Sequence, residues 1–219
     1  MNSKNEAPCP LCQAGNPKTF FRDRLRVYLK CPECYLIFVP GRFHLGKHEE
    51  KERYDLHRNS PEDNNYRRFL SKLFLPMVPL LKQGGRGLDF GSGPGPTLSK
   101  MFIEAGFTMV IFDVFYAPDG EVLQETYDFL TCSETVEHFR NPRREWKLMA
   151  KLVRKGGVIG IMTKILVDDE IFSQWYYKND PTHICFYSQK TFNWISEWLG
   201  IPCRILGDSV VLFSVPYHS

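Results

Sequence analysis

The sequence has no apolar run approaching the roughly 20 residues that a membrane-spanning helix needs. Its first ten residues, MNSKNEAPCP, hold no apolar stretch of the kind a secretory signal requires. Both absences lead to the expectation of a cytoplasmic chain with no membrane partner. A strong charge of one sign is also lacking, since 28 Lys and Arg stand against 25 Asp and Glu. The small excess is uneven. Residues 1–60 carry 11 Lys/Arg against 7 Asp/Glu, so an anionic partner near the N-terminal segment stays open beside the simpler reading of a solvated face. The seven cysteines are an odd number, which argues against a secreted disulfide framework.

Cysteine spacing is the first positive signal. CPLC (Cys9, Cys12) recurs as CPEC (Cys31, Cys34) with 18 residues between the pairs, the pattern of a zinc ribbon in which four thiolates close a tetrahedral shell. Metal binding would supply the free energy that some 40 residues with few large apolar groups cannot find in a core. A closed four-cysteine shell leaves no open position for substrate, so the expected role is structure or partner contact.

After the ribbon, YLIFVPGRF reads as a short strand and turn. The stretch from His48 to Leu81 then reads as one or two helices, restarted at Ser60-Pro61-Glu62 by a cap with Pro in the first turn. Tyr66, Phe69, Leu70, Leu73 and Phe74 recur at helical spacing as a core-facing stripe, with His57 on the polar side. The expected organisation is residues 1–45 as the ribbon, 46–83 as a helical bridge and 84–219 as an α/β domain.

The run GRGLDFGSGPGPTLSKMFIEAGF places a buried strand before Gly91, Gly93 and Gly95, with a helix opening near Pro96-Thr97. Alternating glycines let a backbone approach a ligand, and the following helix aims amide groups at it. This is the strand, loop and helix of a Rossmann-like doubly wound sheet. The spacing is not G-x-G-x-x-G. Instead, Asp89 precedes the loop and Asp113 ends the next strand, FTMVIFD.

These residues resemble motif I of the class I S-adenosylmethionine-dependent methyltransferases. The resemblance implies that Asp89 lies near the methionyl part of the cofactor and that Asp113 accepts hydrogen bonds from the ribose hydroxyls. It extends over roughly residues 50 to 215. YDFLTCSETVEHFRNP looks like the fourth strand and its loop, PRREWKLMAKLVRKGG like a helix with its Gly stop, VIGIMTK like the fifth strand, and CRILGDSVVLFSVP like a closing antiparallel pair. Only 13 residues separate Asp113 from Tyr127, too few for the third strand and helix of that family. The adenine side is therefore expected from Val114-Phe115-Tyr116 or Glu121-Val122. Cys132 is a further candidate cofactor contact, although Cys132, Cys185 and Cys203 read by default as small buried hydrophobes.

TCSETVEH would put Glu134, Glu137 and His138 on one face if the chain turned helical at Ser133. With His183, these residues resemble the divalent site of the small-RNA 2′-O-methyltransferases, and E-x-x-E-H also resembles the polyprenyl-phenol O-methyltransferases. The resemblance implies a second metal, Mg, Mn or Zn, that would orient a hydroxyl for methylation. Without it, His138 or His183 becomes a candidate general base, and N- or C-methylation stays open. Glu137, His138 and His183 are thus the catalytic candidates. Trp175, Tyr176, Tyr177 and Phe186 could wall an acceptor or form the apolar face of a lid. TFNWISEWLG reads as a core helix through Phe192, Ile195, Trp198 and Leu199. The expected activity is O-methylation of a small molecule. RNA methylation, or an inactive zinc-ribbon binding platform, are the alternatives.

Overall fold

The computed structural model describes residues 7–56 and 59–217. His57 lies outside the described residues. Among the described residues no helix is long and apolar enough to cross a membrane.

The N-terminal segment folds as β1 (Lys18–Arg22), β2 (Val27–Lys30) and β3 (Ile37–Phe38) in an antiparallel meander. Two helices follow, α1 (Lys47–Asp55) and α2 (Asn64–Met77). The second helix starts later than the sequence suggests. Ser60 and Pro61 form a turn closed by Asp63 N–H on the Ser60 carbonyl. It is the Asp63 carboxylate that caps the helix, accepting from Asn65 and Tyr66 N–H at 2.8 and 3.3 Å. The apolar stripe lies as its spacing requires: Leu70 and Leu73 are buried, while Tyr66, Phe69 and Phe74 pack at the margin of the same cluster.

From there the chain alternates strand and helix as β4 (Arg86–Phe90), α3 (Thr97–Glu104), β5 (Thr108–Phe112), β6 (Tyr127–Ser133), α4 (Pro142–Leu152) and β7 (Val153–Met162). It closes with β8 (Cys185–Phe186), α5 (Gln189–Leu199), β9 (Cys203–Leu206) and β10 (Val210–Ser214). The six-stranded sheet has the order β5-β4-β6-β7-β10-β9. The first four of these strands are parallel, and β10 runs antiparallel to β7 and β9. No third parallel strand stands beyond β5 among the described residues; a 3-10 turn, Gly120–Gln124, occupies that interval. The Gly stop expected after α4 is not used as one. The helix ends at Leu152, and Gly156-Gly157 lie inside β7.

Phe129, Val158 and Met162 of the sheet pack with Leu70, Leu73 and Met77 of α2 and Phe102 of α3. Other residues of the sheet form a second cluster with Trp146 of α4 and Phe192 of α5, where Trp146 meets Phe213 at 5.5 Å between ring centroids. Trp198 is less buried than its spacing suggests, stacking on Trp194 at 5.4 Å near the surface. The sheet order reverses between β5 and β6 around β4, so the carboxyl ends of β4 and β6 open a crevice at the switch point.

The short strand β8 joins the other sheet. Its Phe186 and Cys185 face Ile37 and Phe38 of β3, giving the order β1-β2-β3-β8. Phe172, Trp175 and Phe186 from the long connection after β7 interlock with Phe20, Phe21 and Tyr28 of the N-terminal segment.

Candidate active site

The crevice is a cleft of about 1170 Å³. One end is built by the glycine loop. Gly91 has φ +80°, and a Cβ there would stand 2.3 Å from Thr135. A Cβ at Gly95 would meet the Asn59 carbonyl oxygen at 2.1 Å. These two glycines are demanded by protein neighbours. Gly93 differs, because nothing lies within 4 Å of its missing Cβ and it lines the open cleft. Its N–H donates to Asp113 Oδ2 at 2.9 Å, while Asp113 Oδ1 accepts from Phe115 and Tyr116 N–H at 2.8 and 3.1 Å. The Asp113 carboxylate therefore shapes the loop and also stands at the cleft wall, where an unused lone pair can meet a ligand hydroxyl. A glycine facing open space beside a strand-end carboxylate fits S-adenosylmethionine.

The other cofactor candidates divide. Val114 is 61% exposed and lines the cleft with Phe115, Tyr116 and Leu123; Glu121 and Val122 do not. Asp89 lies beneath the loop, 2% exposed, its oxygens taken by the Thr131 and Ser99 hydroxyls at 2.8 and 3.0 Å. Burial pushes its carboxyl up to about 6, against the pull of those two donors. Cys132 is fully buried under the cleft, where its neighbours Ser133 and Glu134 form the lining. Cys185 is buried as well, whereas Cys203 is half-buried.

At the other end, β6 delivers the acidic segment without turning into an α-helix. The strand runs through Ser133, Glu134 takes φ +47°, and Val136–His138 form one 3-10 turn. The single face that a helical turn at Ser133 would have given is thus absent, yet Glu137, His138 and His183 converge, with ligand atoms all within 4.8 Å of one another. Glu134 is not among them. Its carboxylate stands 3.4 Å from the Tyr177 hydroxyl, and burial together with the neighbouring Glu137 holds its pKa well above the carboxylate range.

The three converging groups are each fixed from behind. His138 Nδ1 bonds the Thr182 carbonyl at 3.0 Å and His183 Nδ1 bonds the Tyr177 carbonyl at 2.7 Å. A carbonyl can only accept, so both rings carry a proton on Nδ1, and in its neutral form each offers Nε2 as the lone-pair nitrogen. Glu137 is fully buried and accepts from the Thr163 hydroxyl at 3.0 Å and from the Tyr177 hydroxyl. No cationic side chain contacts it among the described residues. A buried carboxylate between two imidazole lone pairs is a donor set that a divalent cation would complete. Sequence reasoning missed Thr163, for which a polar residue at the carboxyl end of a buried strand was the available signal.

The aromatic segment splits in two. Tyr176, 66% exposed, and Tyr177 line the cleft, as do Tyr66 and Phe69 of α2, while Trp175 is buried against Phe172 and Phe186, and Phe186 packs on Tyr28. Away from the cleft, the four N-terminal cysteines form a second group of potential ligand atoms within 4.8 Å, with Cys9 and Cys34 sulfurs 3.5 Å apart and Cys12 and Cys31 sulfurs 3.3 Å apart. A tetrahedral ion with sulfurs at about 2.3 Å sets such pairs at about 3.8 Å, close to what is seen.

Residues 63–201 match the family described as a methyltransferase domain. No curated protein matches the sequence. Among solved structures, a candidate methyltransferase from Bacillus halodurans C-125 is 20% identical over 62% of this chain and 67% of its own, with a TM-score of 0.50. CalO1, a methyltransferase in calicheamicin biosynthesis solved in its SAH-bound form, is 12% identical over 69% of this chain and 55% of its own, with a TM-score of 0.51. The present chain thus spans little more than half the length of the second. With its glycine loop, its strand-end aspartate and a family match over more than half its length, the chain belongs to the methyltransferase-domain family, as an S-adenosylmethionine-dependent methyltransferase.

Proposed function

We propose that the protein transfers the methyl group of S-adenosylmethionine to an oxygen of a small molecule, with a divalent ion held by Glu137, His138 and His183. The observation that carries this reading is the convergence of those three groups at the cleft, with both imidazoles locked in the tautomer that offers Nε2. When bound, such an ion lowers the pKa of a hydroxyl that it contacts. The chain's own part is positional. Gly93 and Asp113 hold the donor, and Tyr66, Phe69, Tyr176 and Tyr177, which line the same cleft, frame an apolar or planar acceptor. Glu137 supplies the negative charge that balances the cation. The Cys9, Cys12, Cys31 and Cys34 cluster is assigned a structural zinc.

Calorimetric titration of S-adenosylhomocysteine and of Mn²⁺ tests both ends of the cleft. One site for each is expected, and His183→Ala should lose the second while keeping the first. A panel of phenols and diols should then show methylation that stops with EDTA. EDTA-resistant methylation of a hydroxyl acceptor would overturn the role given to the ion.

A further inference from the structure

Arg26 immediately precedes β2, whose other end runs into Cys31. It is 7% exposed, and each of its five guanidinium N–H groups has a partner. Nε donates to the Tyr28 hydroxyl at 3.2 Å. Nη1 donates to the carbonyls of Pro181 and His183 at 3.1 and 3.0 Å, and Nη2 to those of Asp180, at 3.1 Å, and Lys178. Four carbonyls of one short segment therefore point at a single cation from the N-terminal sheet. Oxygens gathered in this way repel one another unless a positive charge sits between them, and only a planar fork of five donors can serve them all.

That segment is the one that organises the candidate metal ligands. The acceptors that fix His138 and His183 are the carbonyl of Thr182, between the Pro181 and His183 carbonyls held by Arg26, and that of Tyr177, next in the chain to Lys178. Directly after it, Ile184 N–H bonds the Glu137 carbonyl at 2.9 Å, and the Ile184 carbonyl accepts from Val39 N–H at 2.9 Å, where β8 joins β3. The N-terminal sheet thus grips the His183 segment on both sides.

We infer that Arg26 is a positioning residue for the Glu137, His138 and His183 site: by holding the carbonyls of Lys178, Asp180, Pro181 and His183 it orders the segment 177–183 on which both imidazoles lean, and through β2 it ties that geometry to the cysteine cluster. The inference rests on the metal reading above for its consequence in binding, but its geometric content stands apart from any ion.

The test compares the full-length zinc-loaded protein with Arg26→Met and Arg26→Lys. Nitrogen NMR of the imidazoles reports tautomers without added metal, Mn²⁺ titration reports the site, and S-adenosylhomocysteine titration and zinc content serve as controls. In both variants His183 should change from a fixed Nδ1–H form to a mixture of tautomers. Mn²⁺ should bind about tenfold or more weakly, with zinc and S-adenosylhomocysteine binding retained. Unchanged tautomers and unchanged Mn²⁺ affinity in a folded variant would overturn the inference. Should the wild type bind no Mn²⁺, the metal reading falls alone, and the tautomers decide on Arg26: a change supports the positioning role and constancy removes it. If Arg26→Met does not fold, Arg26→Lys decides by the same readouts.

Discussion

His138 and His183 stand with ring centroids 4.9 Å apart, and each leans its Nδ1 on a carbonyl of the same short segment, Thr182 for one and Tyr177 for the other. The two rings reach this arrangement from different directions, one from the turn after β6 and the other from the connection after β7. Their relative position is therefore set by a single piece of backbone. Whatever moves that piece moves both imidazoles together.

Thr163 supports the third member of the group through its 3.0 Å hydrogen bond to Glu137. Thr163→Val removes this bond while keeping the volume close. Loss of an outer partner of a metal ligand costs about 10- to 100-fold in affinity, so Mn²⁺ binding should weaken by that factor while S-adenosylhomocysteine binding holds. Equal Mn²⁺ affinities for variant and wild type would show that Glu137 does not ligate.

Asp113 serves both the loop and the ligand side of the cleft. Asp113→Ala abolishes its three amide bonds and the charge offered to a ribose. Hydrogen bonds to charged groups contribute about 1.5–3 kcal/mol each, so calorimetry should show S-adenosylhomocysteine binding at least about tenfold weaker. A dissociation constant equal to that of the wild type would remove Asp113 from the cofactor site.

Metal analysis of protein purified without chelators should find zinc at one ion per cysteine cluster. Replacing Cys31 and Cys34 together by Ser should eliminate it. Structural zinc in small ribbons is worth on the order of 10 kcal/mol, so the N-terminal sheet should unfold and, through β8, destabilise the segment that carries His183. Zinc-free protein with an intact N-terminal fold would refute the ribbon.

The buried Asp89 gives a pH-dependent outcome. Its folded pKa is raised from 3.8 to about 6, so the folded state binds the proton more tightly than the unfolded chain between those values. The resulting penalty is absent below about pH 4 and fully present above about pH 6. At about 1.4 kcal/mol per pKa unit, it is on the order of 3 kcal/mol. Asp89→Asn, which keeps the shape without the charge, should unfold at higher denaturant than wild type at pH 8 and lose that advantage near pH 4. A stability difference independent of pH would contradict the burial assigned to this carboxyl.

Much of the fold was written in local patterns. The strands β4, β5, β6 and β7 follow from apolar runs beside Gly and Asp, and the β9–β10 pair from apolar residues flanking Gly207-Asp208. The four cysteines followed from spacing alone, because two C-x2-C turns can close on one point. The strand and loop around Glu134 follow the sequence reading, but the helical turn at Ser133 that would have put Glu134, Glu137 and His138 on one face does not form, because backbone pairing with β7 carries the strand to Ser133 and the Glu134 N–H onto the Met162 carbonyl at 2.7 Å. A local cap also misled at Ser60, where the Asp63 carboxylate outcompetes the hydroxyl for the first amides of α2. Arg26 was invisible in principle, since four of its five partners are main-chain carbonyls more than 150 positions away, and a carbonyl leaves no mark in the residue alphabet.

The sheet that β1, β2 and β3 begin is finished by Cys185 and Phe186. During synthesis the N-terminal segment leaves the ribosome long before its fourth strand exists. It can gather its cysteines early, but its β3 edge must wait, unpaired, for most of the chain to follow. Slow, long-range closure of this kind exposes an unfinished edge to neighbouring chains. Early occupancy of the cysteine cluster by a metal ion would give the waiting sheet a partial fold and shorten the time for which its edge depends on the rest of the chain.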